Sequence, residues 1–151
     1  MQEDNWRMTA QAITAVLGGP KTLRRKVTSD AQLRVLTREG LPIEALPSLA
    51  QKLAVEKGTL AKVVGISQRT LSRRLNAEAR LSAQESDRMV RVARVMAHAI
   101  DTFGTEQKAS IWLRTPNLVL MNQVPLDLLD TDAGIHEVET VLGRIDYGVY
   151  S

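Results

Sequence analysis

The sequence predicts an all-α protein: a larger helical module containing a helix-turn-helix, followed by a second, smaller helical module. Three observations carry that expectation. Apolar residues recur at three- and four-residue spacing along most of the 151-residue chain. Nowhere does a strict two-residue alternation, the mark of a half-buried strand, run over five positions. Only five aromatics occur, Trp6, Phe103, Trp112, Tyr147 and Tyr150, and four of them lie at or beyond residue 103. The N-terminal part must therefore pack with Leu, Val, Ile, Met and Ala, which suits helices better than a sheet.

The elements follow in order. From about Trp6 to Leu17, Ala10, Ile13, Val16 and Leu17 fall at helical spacing, and Gly18-Gly19-Pro20 stops the run. A second helix follows Ser29, with Gln32 three residues on as a capping box, Leu33 and Leu36 inward, and Gly40 at its C-terminal end. Leu41-Pro42 punctuates the chain. Ile43, Leu46, Leu49, Ala50 and Leu53 form a third apolar stripe, with Pro42 and Pro47 tolerable only near its start. Later, Ser82-Ala83-Gln84-Glu85 spells a capping box that opens a long helix. Its stripe is Met89, Val92, Ala93, Met96, Ile100 and Phe103, Arg88 and Arg91 lie off it, and Gly104 ends it. Composition changes along this helix, so it is expected to bridge two modules, residues 1–100 and 101–151.

Between these, at about residues 59–76, lies the segment with the clearest chemistry. Ala61 is small enough for two helices to touch, and Gly65 four residues on allows a sharp left-handed turn. Ile66 plugs the corner, Ser67 is a good N-cap, and Leu71 and Leu75 anchor a second helix one turn apart. What remains outside is Gln68, Arg69, Thr70, Ser72, Arg73 and Arg74, side chains suited to base edges and phosphates. Gln68, Arg69, Ser72 and Arg73 are expected to read bases; Thr59, Arg74 and Arg80 are expected to touch phosphates. Ser67 completes the DNA-binding set. The segment resembles the lambda-repressor-like helix-turn-helix, departing from it at Lys57, where many such motifs carry Gln, and at Leu75, one place later than usual. The bland alternative is a helical hairpin with a polar outer face.

In the last third, Ala109, Trp112 and Leu113 mark a short helix from Glu106 to Leu113. Pro116-Asn117 stops it, and Asn117 can cap a short helix from Leu118 to Met121. Pro125 begins Leu126-Asp127-Leu128-Leu129, with Asp127 and Asp130 as expected helix caps. Asp130-Thr131 then opens a last helix with Ile135, Val138, Val141, Leu142 and Ile145 on its apolar face.

The strings Trp112-Leu113…Pro116-Asn117 and Pro125-Leu126-Asp127-Leu128-Leu129-Asp130-Thr131 stand within Phe103 to Gly148. Together with Gly104, Glu106, Gly134, Glu139, Leu142, Arg144 and Tyr147, they resemble the C-terminal toxin-binding domain of the Xre/MbcA/ParS-type antitoxins, partners of RES-domain toxins. The family often carries glycine in the loop before the second string. Here Asn122 can take the same left-handed backbone state. The resemblance implies a bacterial type II antitoxin that covers the active site of a RES-type NAD-degrading toxin and represses its own operon. It places toxin contacts at the end of the chain, on Glu139, Arg144, Tyr147, Tyr150 and Ser151. Most other signature residues, Trp112 among them, are expected to be structural.

Charge divides the chain in the same place. Through residue 97 there are 17 Lys/Arg against 9 Asp/Glu, a net of +8; from His98 onward there are 3 against 8, a net of −5. One half suits nucleic acid and the other a different partner. With no cysteine, disulfides and thiolate metal sites are excluded. His98 and His136 have no second ligand at metal spacing, and Gly18-Gly19-Pro20-Lys21-Thr22 lacks the full spacing of a phosphate loop. No catalytic residue, cofactor or metal is expected, and the absence of an apolar run of about 20 residues points to the cytoplasm. A palindromic operator needs two recognition helices about 34 Å apart, hence a homodimer or a toxin–antitoxin hetero-oligomer. The alternative is a stand-alone helix-turn-helix regulator whose second module serves dimerisation or an effector.

Overall fold

Local signals set the helix starts. In the computed structural model, which describes residues 8–148, Thr9, Ser29, Ser67, Ser82, Thr105 and Thr131 each accept a hydrogen bond from a free backbone N–H in the first turn of the helix they open. The described residues form nine α-helices: α1 Ala10–Val16, α2 Gly19–Leu23, α3 Asp30–Glu39, α4 Ala45–Leu53, α5 Lys57–Val63, α6 Gln68–Ala77, α7 Ala83–Phe103, α8 Glu106–Leu113 and α9 Asp132–Asp146. Two 3-10 helices, Leu118–Leu120 and Pro125–Asp130, lie between α8 and α9. Among these residues the only β-pairings are isolated bridges, Pro42 with Arg80 and Asn117 with Gln123. None of their helices is long and apolar enough to cross a membrane.

The sequence expectation of an all-α chain holds, with differences in detail. Gly18-Gly19-Pro20 ends α1 but also starts α2, because both glycines take positive φ and Pro20 stands in the first turn, where its missing N–H costs nothing. At α3 the reciprocal half of the expected capping box is shifted: Gln32 Oε1 accepts from the N–H of Thr28 at 2.7 Å, not from Ser29. Asp127 and Asp130 are not caps. The helix Pro125–Asp130 has no side-chain cap bond, and Thr131 caps α9 through Gly134 N–H at 3.0 Å. Asn122 does take the left-handed state, φ 65°, and Met121 takes it too, φ 58°.

The buried apolar residues form one continuous core from Ala10 to Leu142. Its axis is α7, 21 residues and so about 31 Å long, opened by the Ser82/Glu85 capping box and closed by Gly104 at φ 95°. α1, α3, α8 and α9 all pack on α7. Between residues 92 and 99 every residue but Arg94 is buried, so this stretch is apolar almost all round. Polar ties join earlier helices to later ones: Lys52 of α4 to Glu106 of α8 at 2.9 Å, and Arg91 of α7 to Asp132 of α9. Further on, Asp146 at the end of α9 takes His98 Nε2 at 2.8 Å and the Thr102 hydroxyl at 2.6 Å.

Candidate functional site: a helix-turn-helix joined to an acidic helical module

The helix-turn-helix forms where the sequence places it. Ala61 is fully buried between α5 and α6, Gly65 turns the chain at φ 82°, and Ile66 and Leu71 are buried beneath the corner. Leu75 is only partly buried. Two supports come from elsewhere. Arg88 of α7 donates to the Val64 carbonyl at 3.3 Å, placing a cation at the C-terminal end of α5. The 41–43 segment pairs with 79–81, through Ile43 N–H to Ala79 O at 3.0 Å and Leu81 N–H to Leu41 O at 2.8 Å. That pairing needs Gly40, whose φ is 101° and where a Cβ would fall 2.2 Å from the Leu81 carbonyl oxygen. The loops before α4 and after α6 are thus laced together, which fixes α6 against the body.

The expected DNA-contacting residues separate into two groups. Arg69, Ser72 and Arg73 of α6 and Thr59 of α5 are exposed, with no intramolecular partner among the described residues. Gln68 is also exposed, but its Nε2 donates to the Gly58 carbonyl at 3.2 Å, so it ties α6 to α5 while facing outward. The Ser67 and Thr70 hydroxyls are joined to each other at 3.0 Å within the N-cap. Of the expected phosphate contacts, Arg74 is turned toward the body, whereas Arg80 stays exposed while holding a backbone carbonyl. Arg74 pairs with Glu85 at the start of α7, its side chain 22% exposed. Arg80 donates to the Gly40 carbonyl at 2.6 Å. Arg74 lies in the last turns of α6 and Arg80 on the connection to α7, each with a fold partner within reach, an acid for one and a backbone carbonyl for the other.

Glu85 is correspondingly perturbed. Partial burial pushes its carboxyl up, but the Ser82 backbone N–H and the Arg74 guanidinium outweigh that and hold it below the usual glutamate range.

In the acidic module, Trp112 is half-buried and stacks obliquely on Phe103, ring centroids 5.4 Å apart. Of the expected toxin contacts, Arg144 and Tyr147 are exposed at the end of α9. Tyr150 and Ser151 lie outside the described residues, as does Trp6. Glu139 is not at the surface: it is 6% exposed on α9, and its Oε2 has no hydrogen-bond partner among the described residues. Burial pushes its carboxyl above the usual range, opposed by the charges of Arg94, His98 and His136. The spacing Ile135, Val138, Glu139, Leu142 is that of a helix stripe, a signal that could have placed Glu139 inside. Among the described residues no group of three or more His, Cys, Asp or Glu could hold a metal ion.

Comparison with known proteins assigns both modules. Residues 32–94 match the antitoxin Xre-like helix-turn-helix domain, and residues 98–148 match the antitoxin Xre/MbcA/ParS C-terminal toxin-binding domain. An antitoxin Xre of Photorhabdus laumondii is 34% identical over 125 residues, which cover 82% of this chain and 84% of the relative. An antitoxin Xre of Yersinia enterocolitica is 34% identical over 113 residues, covering 74% and 76%. One of Pseudomonas putida is 31% identical over 126 residues, covering 82% and 76%. A chain in the crystal structure of the M. tuberculosis MbcT-MbcA toxin-antitoxin complex shares the fold, with a TM-score of 0.54 at 20% identity over 72% of this chain and 96% of that one. With two domains matched in this order and relatives alike over most of their length, the chain belongs to the Xre family of antitoxins.

Proposed function

We propose that this antitoxin neutralises a RES-type, NAD-degrading toxin by covering its active site with the end of the chain, and represses its own operon through α6. The division of labour falls at about residue 100: residues 1–100 bind DNA and 101–151 bind toxin. It has no catalytic role of its own. The observation that carries the reading is the pairing of two unlike surfaces on one core. Outward-facing Arg69, Ser72 and Arg73 stand on a buttressed recognition helix, and behind it lies an acidic module ending in Arg144 and Tyr147. Phosphate contacts make the DNA affinity fall steeply with salt, and a palindromic operator requires a dimer or a toxin-bridged assembly.

The test is co-expression with the product of the neighbouring gene, reading growth and intracellular NAD. Rescue of both supports the reading. Toxicity that this chain does not relieve refutes it. Deleting residues 147–151 is expected to abolish rescue and leave DNA binding intact; a truncated chain that still protects cells would sink the idea that the end of the chain plugs the toxin.

A further inference from the structure

Exposed apolar side chains are concentrated in one module. Among the described residues, the large hydrophobic side chains that stand open to solvent are Val35, before residue 98, and Ile111, Leu118, Val119, Met121 and Tyr147 after it. Leu118 and Met121 are each 86% exposed, which is unusual for residues in an ordered turn. The turn is tightly built. Asn117 Oδ1 accepts from Val119 N–H at 2.9 Å, Asn117 N–H donates to the Gln123 carbonyl at 2.9 Å, and Asn122 N–H returns to the Asn117 carbonyl at 2.8 Å. Met121 and Asn122 both take positive φ, so the chain reverses with two apolar side chains at its tip. Leu120 points inward and is buried, and the 3-10 helix that holds it packs on α9, which carries Arg144 and Tyr147. No charged residue occurs from Thr115 to Leu126, twelve positions in a chain that is 25% charged. Freedom from charge together with exposed aliphatic groups is the composition of an interface core, not of a solvated loop.

We propose that Leu118, Val119 and Met121 form a rigid apolar knuckle that inserts into a hydrophobic recess of the toxin. This second contact is separate from the one at the end of the chain, and it rests on the toxin-binding reading above. Preorganisation is what makes the knuckle effective: its backbone bonds are already made, so little ordering cost falls due on binding. A projecting knob requires a concave partner. A second copy of this chain offers a poor one. The shallow apolar recess beside Val35 is bordered by Arg25 and Lys26, and a knuckle seated there would be a head-to-tail contact that does not close on itself.

The experiment is titration calorimetry of the full chain against a catalytically inactive toxin, comparing wild type with the double variant Leu118→Asp/Met121→Asp. A milder Leu118→Ser/Met121→Ser pair is carried alongside, and melting curves and operator binding confirm that each variant is folded. The expected result is toxin affinity weakened about 30-fold or more, with melting temperature and DNA affinity unchanged. Wild type that fails to bind would overturn the toxin-binding reading itself. Wild type that binds, with both variant pairs binding equally well, would overturn the knuckle alone. So would variants that bind toxin normally but sediment as a smaller species than wild type, since the patch would then belong to a second copy.

Discussion

Replacing Gly134 by alanine sets a small gain in helix propensity against a backbone collision, and the geometry says which wins. Gly134 is in the first turn of α9, and its N–H donates to the Thr131 cap at 3.0 Å. A Cβ there would fall 1.8 Å from the carbonyl oxygen of Leu128, 2.7 Å from its carbonyl carbon and 3.1 Å from its Cβ. Carbon and oxygen in contact ordinarily stand about 3.3 Å apart, so α9 and the preceding 3-10 helix must separate by roughly 1.5 Å. The obstacle is backbone, which cannot rotate aside as a side chain would. Such overpacking costs about 1–3 kcal/mol, and a displaced first turn also weakens the cap, for about 1 kcal/mol more. Against this, alanine gains at most about 1 kcal/mol over glycine in a helix. The net is a loss of about 2 kcal/mol, or a melting temperature roughly 4–8 °C lower for a chain of this size.

Calorimetric or urea unfolding measures it directly, since one continuous core favours a single transition. Ala133→Gly, at the exposed neighbouring position, calibrates the propensity term in the same turn. A Gly134→Ala protein as stable as wild type, or more so, would refute the reasoning: the Leu128 carbonyl would then be free to yield, and propensity would govern.

The remaining expectations concern charge. Arg73→Ala is expected to weaken operator binding about tenfold or more without changing the melting temperature, whereas Arg74→Ala lowers the melting temperature because Glu85 loses its partly buried partner; band-shift and melting assays on the two variants separate these roles. Glu85, held below the usual glutamate range, contributes stability above that range that disappears as pH falls through its lower folded value, so acid unfolding curves of Glu85→Gln and wild type converge at low pH. Glu139 has the opposite sign: its raised folded value means stability declines as pH rises through it. Glu139→Gln should therefore be more stable than wild type at neutral pH by about 1–3 kcal/mol, with the gain vanishing below the ordinary carboxyl range, as equilibrium unfolding at two pH values will show.

What could be read from sequence was what depends on neighbours a turn away. Ser67 and Ser82 announce α6 and α7 because a cap bond spans three residues, and Gly65 marks the turn because few other residues accept its φ. The partners of Arg74, Arg80 and Arg88 were not legible. They lie 11, 40 and 24 residues away, and only the assembled fold brings Glu85, the Gly40 carbonyl and the Val64 carbonyl within reach. An arginine beside a recognition helix has the same local signature whether it meets phosphate or buttresses the helix. Glu139 departs from the sequence expectation for a different reason. Its residue type points to the surface and its place on the α9 stripe points inward, and the fold follows the stripe, since carboxylates are buried rarely, not never.

The same long-range ties decide how the two functions can be separated. A chain cut at about residue 100 would lose α8 and α9, both packed on α7, whose residues 92–99 are buried almost all round. It would also take Glu106 from Lys52, Asp132 from Arg91 and Asp146 from His98. An isolated DNA-binding half would therefore expose a broad apolar face and associate or unfold, and its failure to bind operator would say nothing about recognition. The outward residues are the independent variables. Arg69 and Arg73 on one side, and Leu118 and Met121 on the other, touch solvent and little of the core, so changing them alters one surface while leaving α7 and what it holds together intact.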